Sequence, residues 1–205
     1  MAYASIDDLR SQLGARPKQA SDSYAAKMLH QIPDAPVVDR EAFVLEHCTG
    51  KAVLEFGASG PLHDAIMKVA STYHGVDRQD GDGVVGFDLD DVARETLPET
   101  FRPDVVICGE VIEHLGNPLW FLTRLQKQFK GITTIITTPN AFNIGSRSHL
   151  KNGIENVNID HCCWFSFRTL KTLLGRAGYK DFSFAWYKGE PLTAEGFVIL
   201  CEGPR

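Results

Sequence analysis

The chain has 205 residues, 43% of them hydrophobic and 23% charged, the make-up of one globular domain long enough to bury a core covered on two faces. A formal net charge of −5 argues against a broad phosphate-binding face, and so against long nucleic acids as partners, while permitting a small ligand. No apolar run approaches the ~20 residues needed to span a bilayer, and the N-terminus lacks a basic segment leading into an apolar one, so neither a membrane span nor a secretory signal is expected and the cytoplasm is the expected compartment.

In chain order, "SIDDLRSQL" opens with a candidate cap at Ser5, and "SDSYAAKMLHQI" repeats that grammar after Pro17, which predicts two short N-terminal helices. Pro33 and Pro36 separate them from a third helical segment, "DREAFVLEHC", ending at Gly50. Residues 1–50 are therefore expected to form a helical cap or lid, and 51–205 the main domain. From Lys51 onward apolar strands alternate with helices. The strands are "AVLEF", "YHGVD", "VVGFDL", "DVVICGE" and "ITTIITTP"; between them come a helix from about Leu62, a short one near Asp91 and a long one running through Phe129. "FSFRTLKTLLGRAGY" adds a helix with Phe167, Leu170, Leu173 and Leu174 on one stripe, ending near Gly178, and "FSFAWYK" with "EGFVILCE" reads as a closing antiparallel pair. The predicted fold is α/β: a doubly wound, seven-stranded, mostly parallel Rossmann-like sheet with an antiparallel C-terminal pair. Five cysteines at positions 48, 108, 162, 163 and 201 form neither a C-x-x-C pair nor a disulfide ladder. Nothing in the sequence fixes an oligomeric state.

The first strand-to-helix turn reads "EFGASG". In an open α/β sheet the ligand lies beyond the carboxyl ends of the strands, where this turn lets the backbone approach it. A pyrophosphate-binding turn needs backbone N–H groups and a helix N-terminus near its ligand, and a carboxylate at Glu55 would repel such an anion. That opposes a nicotinamide-dependent oxidoreductase. S-adenosylmethionine carries an ammonium and a sulfonium instead, which a carboxylate at the strand end attracts. Glu55, Phe56, Gly57 and Gly60 are thus candidate cofactor-binding residues. Asp77, twenty residues after Gly57, stands where an acidic residue accepts hydrogen bonds from ribose hydroxyls. Asp88 is placed to accept from the adenine amino group, with Leu89 packing on the ring.

Four segments in order carry a resemblance: "EFGASG", "DVVICGEVIEHLGNPLWFL", "TTPN" and "NIDHCCWFSFRTLKTLLGRAGY". Over roughly residues 51–202 the chain resembles the class I S-adenosylmethionine-dependent methyltransferases, small bacterial members with an E-V-I-E-H-L run in particular. Ser59 takes the middle glycine slot of the family's acidic-x-Gly-x-Gly-x-Gly turn. The resemblance implies S-adenosylmethionine as cofactor, held also by Glu110, and methyl transfer to a small-molecule acceptor, a hydroxyl oxygen being favoured. Sugar, phenol, polyketide, lipid precursor and nucleoside-terminus acceptors all remain open. A methyltransferase-like scaffold that binds partners without catalysis is the rival from another class.

Glu110, Glu113 and His114 stand at i, i+3 and i+4, so in a helix they would share one face at the ligand edge of the sheet. His114, and His161 from the loop after the fifth strand, are the candidate catalytic residues, because an imidazole titrates near neutrality and can take a proton from an acceptor hydroxyl. The pattern E-x-x-E-H with a later His also resembles the metal site of methyltransferases acting on the terminal ribose of small RNAs, and of some quinone O-methyltransferases, which makes a divalent metal an alternative rather than the favoured expectation. Trp164 and Phe165 are candidates for an aromatic substrate wall. The remaining histidines, His63 among them, read as surface or structural.

Overall fold

The computed structural model describes residues 32, 34–91, 96–98 and 101–201. The two N-terminal helices and the short helix near Asp91 fall outside the described residues, apart from Asp91 itself. The strands are β1 (Val37–Val38), β2 (Ala52–Phe56), β3 (Thr72–Asp77), β4 (Val84–Gly86), β5 (Val105–Gly109), β6 (Thr133–Pro139), β7 (Ser183–Tyr187) and β8 (Gly196–Cys201). The helices are α1 (Arg40–Cys48), α2 (Gly60–Val69), α3 (Pro118–Gln128), α4 (Ile144–Leu150) and α5 (Phe167–Ala177), with a single 3₁₀ turn at Ile112–His114.

The eight strands of the described residues form one sheet in the order β1-β7-β8-β6-β5-β2-β3-β4. β8 alone runs against its neighbours β6 and β7, so the doubly wound, mostly parallel sheet with an antiparallel C-terminal pair is present as expected. The eighth strand is an addition: Val37 and Val38 pair in parallel with Trp186 and Tyr187 at the edge of β7, a two-residue strand between Pro36 and Asp39 too short to show a pattern.

The chain winds outward in one direction from β2 through β3 to β4, and in the other from β5 to β6. The switch point therefore lies between β2 and β5, which pair through Val53–Val105 to Phe56–Cys108. The strands that meet there are buried on both faces and read as continuous apolar runs for that reason.

α1 starts on Asp39, whose carboxylate accepts the Ala42 N–H at 2.9 Å. Its Val44 and Cys48 are buried in one cluster with Val53, Ile107 and Tyr187. Residues 34–48 are thus packed on the sheet, although the sequence groups them with the N-terminal cap. α5 opens with a reciprocal capping box between Ser166 and Thr169 and closes on Gly178 at φ 103°; Phe167, Leu170 and Leu174 are buried on its inner stripe.

Candidate active site

A cleft of about 480 Å³ opens at the carboxyl ends of β2, β3, β4 and β5, on the switch point. Glu55, Gly57, Asp77, Asp88, Leu89, Glu110 and His114 all line it. Gly57 leaves β2 at φ 79°, a conformation that side chains other than glycine's rarely adopt. A Cβ there would stand 2.3 Å from Val111 Cγ2. The turn is pinned on its other side by the N–H groups of Gly57 and Ala58, which donate to the Val76 carbonyl at 2.8 and 3.3 Å. Gly60, at φ 76°, begins α2 and has open space around it, so it serves backbone conformation rather than close approach.

Phe56 does not line the cleft. Successive side chains of a strand point to opposite faces, so Glu55 and Phe56 cannot both face the same side. Phe56 is fully buried, its ring 5.7 Å from Phe121 edge-on and 6.2 Å from Phe129. Its side chain is a core residue against α3.

Glu55 is 3% exposed, and its nearest partners are protein groups. Its Oε2 accepts from the Tyr73 hydroxyl at 2.6 Å and lies 3.3 Å from His63 Nδ1. His63 is thereby drawn into the site's support. Burial raises the Glu55 pKa above its ordinary value of 4.5, and the hydrogen bonds from Tyr73 and His63 only partly oppose this. A carboxyl whose folded pKa lies above its unfolded one stabilises the fold fully below about pH 4.5; that contribution fades as pH rises through the raised folded value. The stability of the wild-type protein relative to Glu55→Gln is therefore expected to fall as pH rises from 4.5. Paired thermal melts across pH would check this, and a flat difference would contradict the burial argument.

Asp77 ends β3 and Asp88 follows β4, both with carboxylates on the cleft. Asp77 Oδ1 accepts the Arg78 N–H at 2.6 Å and Asp88 Oδ1 the Asp90 N–H at 2.9 Å, which fixes each carboxylate while leaving its second oxygen for a ligand. Asp77→Ala is expected to weaken S-adenosylmethionine binding by roughly 1.5–3 kcal/mol, the scale of a lost hydrogen bond to a charged group. Calorimetry checks this, and unchanged affinity in a folded variant would remove Asp77 from the ribose position.

The segment after β5 departs from the expected helix. Glu110 takes φ 54°, and only Ile112–His114 forms a 3₁₀ turn; α3 begins at Pro118, behind the Asn117 cap. Glu110 and Glu113 consequently diverge. Glu110 is held by Thr137 Oγ1 at 2.7 Å, by the Tyr187 hydroxyl at 3.1 Å and by Arg40 Nη1 at 3.4 Å. Arg40 also stands 5.1 Å above the Tyr187 ring. Arg40 and Tyr187 are site residues that no local motif marks.

Glu113 is 1% exposed, with Oε2 accepting from Thr138 Oγ1 at 3.0 Å and Oε1 buried without a hydrogen-bond partner. Burial, followed by the charge of Glu110, pushes its pKa up to about 8. The His114 and His161 rings meet edge-on with centroids 4.6 Å apart. Burial, and then His114, lowers the His161 pKa from its ordinary value of 6.5, which favours the neutral imidazole. Ligand atoms of Glu113, His114 and His161 all lie within 4.8 Å of one another; Glu110 is outside that group. His161 and Glu113 line a second cavity of about 310 Å³, with Trp164 on its wall, whereas Phe165 is buried.

The glycine-only turn, the paired acidic strand ends and the buried carboxyl below them fit S-adenosylmethionine. Among the described residues no helix is long and apolar enough to cross a membrane. No curated protein matches the chain by sequence. Among solved structures, a SAM-dependent methyltransferase from Archaeoglobus fulgidus is similar at 16% identity and TM-score 0.58, over 78% of this chain and 90% of that one. The small RNA methyltransferase HEN1 is similar at 17% identity and TM-score 0.64, over 86% of this chain but only 27% of that one. A 1,6-didemethyltoxoflavin-N1-methyltransferase from Burkholderia thailandensis, with S-adenosylhomocysteine bound, matches at 13% identity and TM-score 0.54, over 80% of this chain and 76% of that one. A family model described as a methyltransferase domain matches residues 24–183. The chain belongs to that family, as a class I enzyme with S-adenosylmethionine as its cofactor.

Proposed function

We propose that this enzyme methylates a hydroxyl oxygen of a small-molecule acceptor in the cytoplasm, with His114 and His161 taking the acceptor proton. The observation that carries this reading is the contact of the two imidazoles at the lip of the cofactor cleft, His114 on the cleft and His161 on the adjoining cavity. S-adenosylmethionine supplies an electrophilic sulfonium methyl; the acceptor oxygen forms the new O–CH₃ bond, the S–CH₃ electron pair stays on sulfur, and S-adenosylhomocysteine leaves. Asp77 and Asp88 would hold the ribose and adenine of the cofactor, Leu89 would cover the ring, and Glu110, its carboxylate fixed by Arg40 and Tyr187, would hold the amino-acid end. The imidazoles orient the acceptor hydroxyl and receive its proton. In a displacement of this kind alignment and exclusion of water supply most of the acceleration. Incubation with methyl-labelled cofactor and a panel of phenols, sugars, lipid precursors and nucleosides tests the reading: label in an ether product supports it, and label on nitrogen or carbon alone would overturn it.

The donor set of Glu113, His114 and His161, with the unpartnered Glu113 Oε1, favours a second reading, metal-assisted methylation of a diol or nucleoside terminus. A divalent cation held there would lower the acceptor hydroxyl's pKa. Chelation is then expected to abolish turnover and an added divalent cation to restore it, whereas activity that survives excess chelator leaves proton transfer to the imidazoles.

A further inference from the structure

We propose that the second cavity is the acceptor subsite and that it takes a neutral sugar ring, presenting one hydroxyl across the His114–His161 pair; the inference rests on the methyl-transfer reading above. The two imidazoles form the boundary between the cavities, since His114 lines the cofactor cleft and His161 the second cavity. A hydroxyl held in that cavity is presented at the edge of this pair, on the side that faces the cofactor cleft.

The walls set the ligand class. Trp164, 40% exposed, offers a broad apolar face of the kind that covers the C–H face of a sugar ring. Asn156 is anchored through its backbone carbonyl, which accepts from the Ser146 hydroxyl at 3.0 Å, so its side-chain amide is available as both donor and acceptor. Asn158 Oδ1 accepts the Asp160 N–H at 3.1 Å, leaving its two amide hydrogens. Ser146 is itself held by Asn143, whose Oδ1 accepts the Ser146 N–H at 2.8 Å, so the backbone of Asn156 is tied to the start of α4. Glu113 also lines this cavity, with its carboxyl buried.

This inventory matches a ring dense in hydroxyls. Among the described residues no lysine or arginine lines the cavity, which disfavours a phosphate or carboxylate acceptor. A plain phenol would stack on Trp164 but leave the amides of Asn156 and Asn158 unmatched, which selects against it.

The full chain, saturated with S-adenosylhomocysteine, would be applied to an array of neutral glycans, anionic glycans, catechols and 3′-terminal RNA oligonucleotides, and each positive titrated in solution. Saturable binding to neutral glycans is expected, weakened about tenfold or more by Trp164→Ala and by Asn156→Ala, with S-adenosylhomocysteine affinity unchanged in both. Binding of anionic glycans, catechols or RNA alone, or of no array member, would overturn the sugar assignment. Neutral-glycan binding indifferent to both substitutions would overturn the placement in this cavity. Failure to bind S-adenosylhomocysteine itself would overturn the methyl-transfer reading and this inference with it, and the same titration distinguishes that case.

Discussion

Gly57→Val is expected to abolish cofactor binding while costing the fold about 1–3 kcal/mol, the scale for a non-glycine residue held at positive φ. Two effects combine at this position. The backbone at φ 79° is unfavourable for a β-branched side chain, and the added Cβ falls 2.3 Å from Val111 Cγ2. Relief of the clash requires the turn to move away from the end of β5, and that motion carries the N-terminal end of α2, with Ser59 and Pro61, out of the cleft wall. Titration with S-adenosylhomocysteine measures the effect. A folded Gly57→Val protein with normal affinity would show that the turn is not part of the cofactor site. Should the variant fail to fold, Gly57→Ala paired with Val111→Ala removes the clash and isolates the contribution of φ.

His114→Ala and His161→Ala are each expected to lower turnover by about 10²–10⁴-fold, the range for loss of a positioned general base, and to leave S-adenosylhomocysteine affinity nearly intact. The division between turnover and affinity follows from position: neither imidazole hydrogen-bonds to Asp77, Asp88 or Glu110, the residues proposed to hold the cofactor. The double variant is expected to lose little more than the worse single one, since groups acting as a unit are not additive. Single variants with full turnover would leave the pair as packing residues.

Much of this site is legible in local sequence. The glycine turn, Asp77 and Asp88 each follow a strand at an offset that the winding of the sheet dictates, so a strand assignment suffices to find them. Other features depend on contacts distant along the chain. Arg40 reaches Glu110 only because α1 packs on the sheet beside β7, and Tyr187 because β8 folds back between β7 and β6. His63 acquires its role from Glu55 and Tyr73, eight and ten positions away. Two departures have signals in the sequence: the alternation of strand side chains separates Phe56 from Glu55, and Asn117-Pro118 marks the start of the long helix after, not within, the Glu110–His114 run.

Calorimetric titration with S-adenosylmethionine, S-adenosylhomocysteine and NAD tests the central claim most directly, because the same sheet edge would serve either class of cofactor. The expected result is saturable one-to-one binding of both S-adenosyl compounds and no binding of NAD, whose pyrophosphate is disfavoured beside the acidic Glu55. Saturable binding of NAD, with neither S-adenosyl compound bound, would contradict the account.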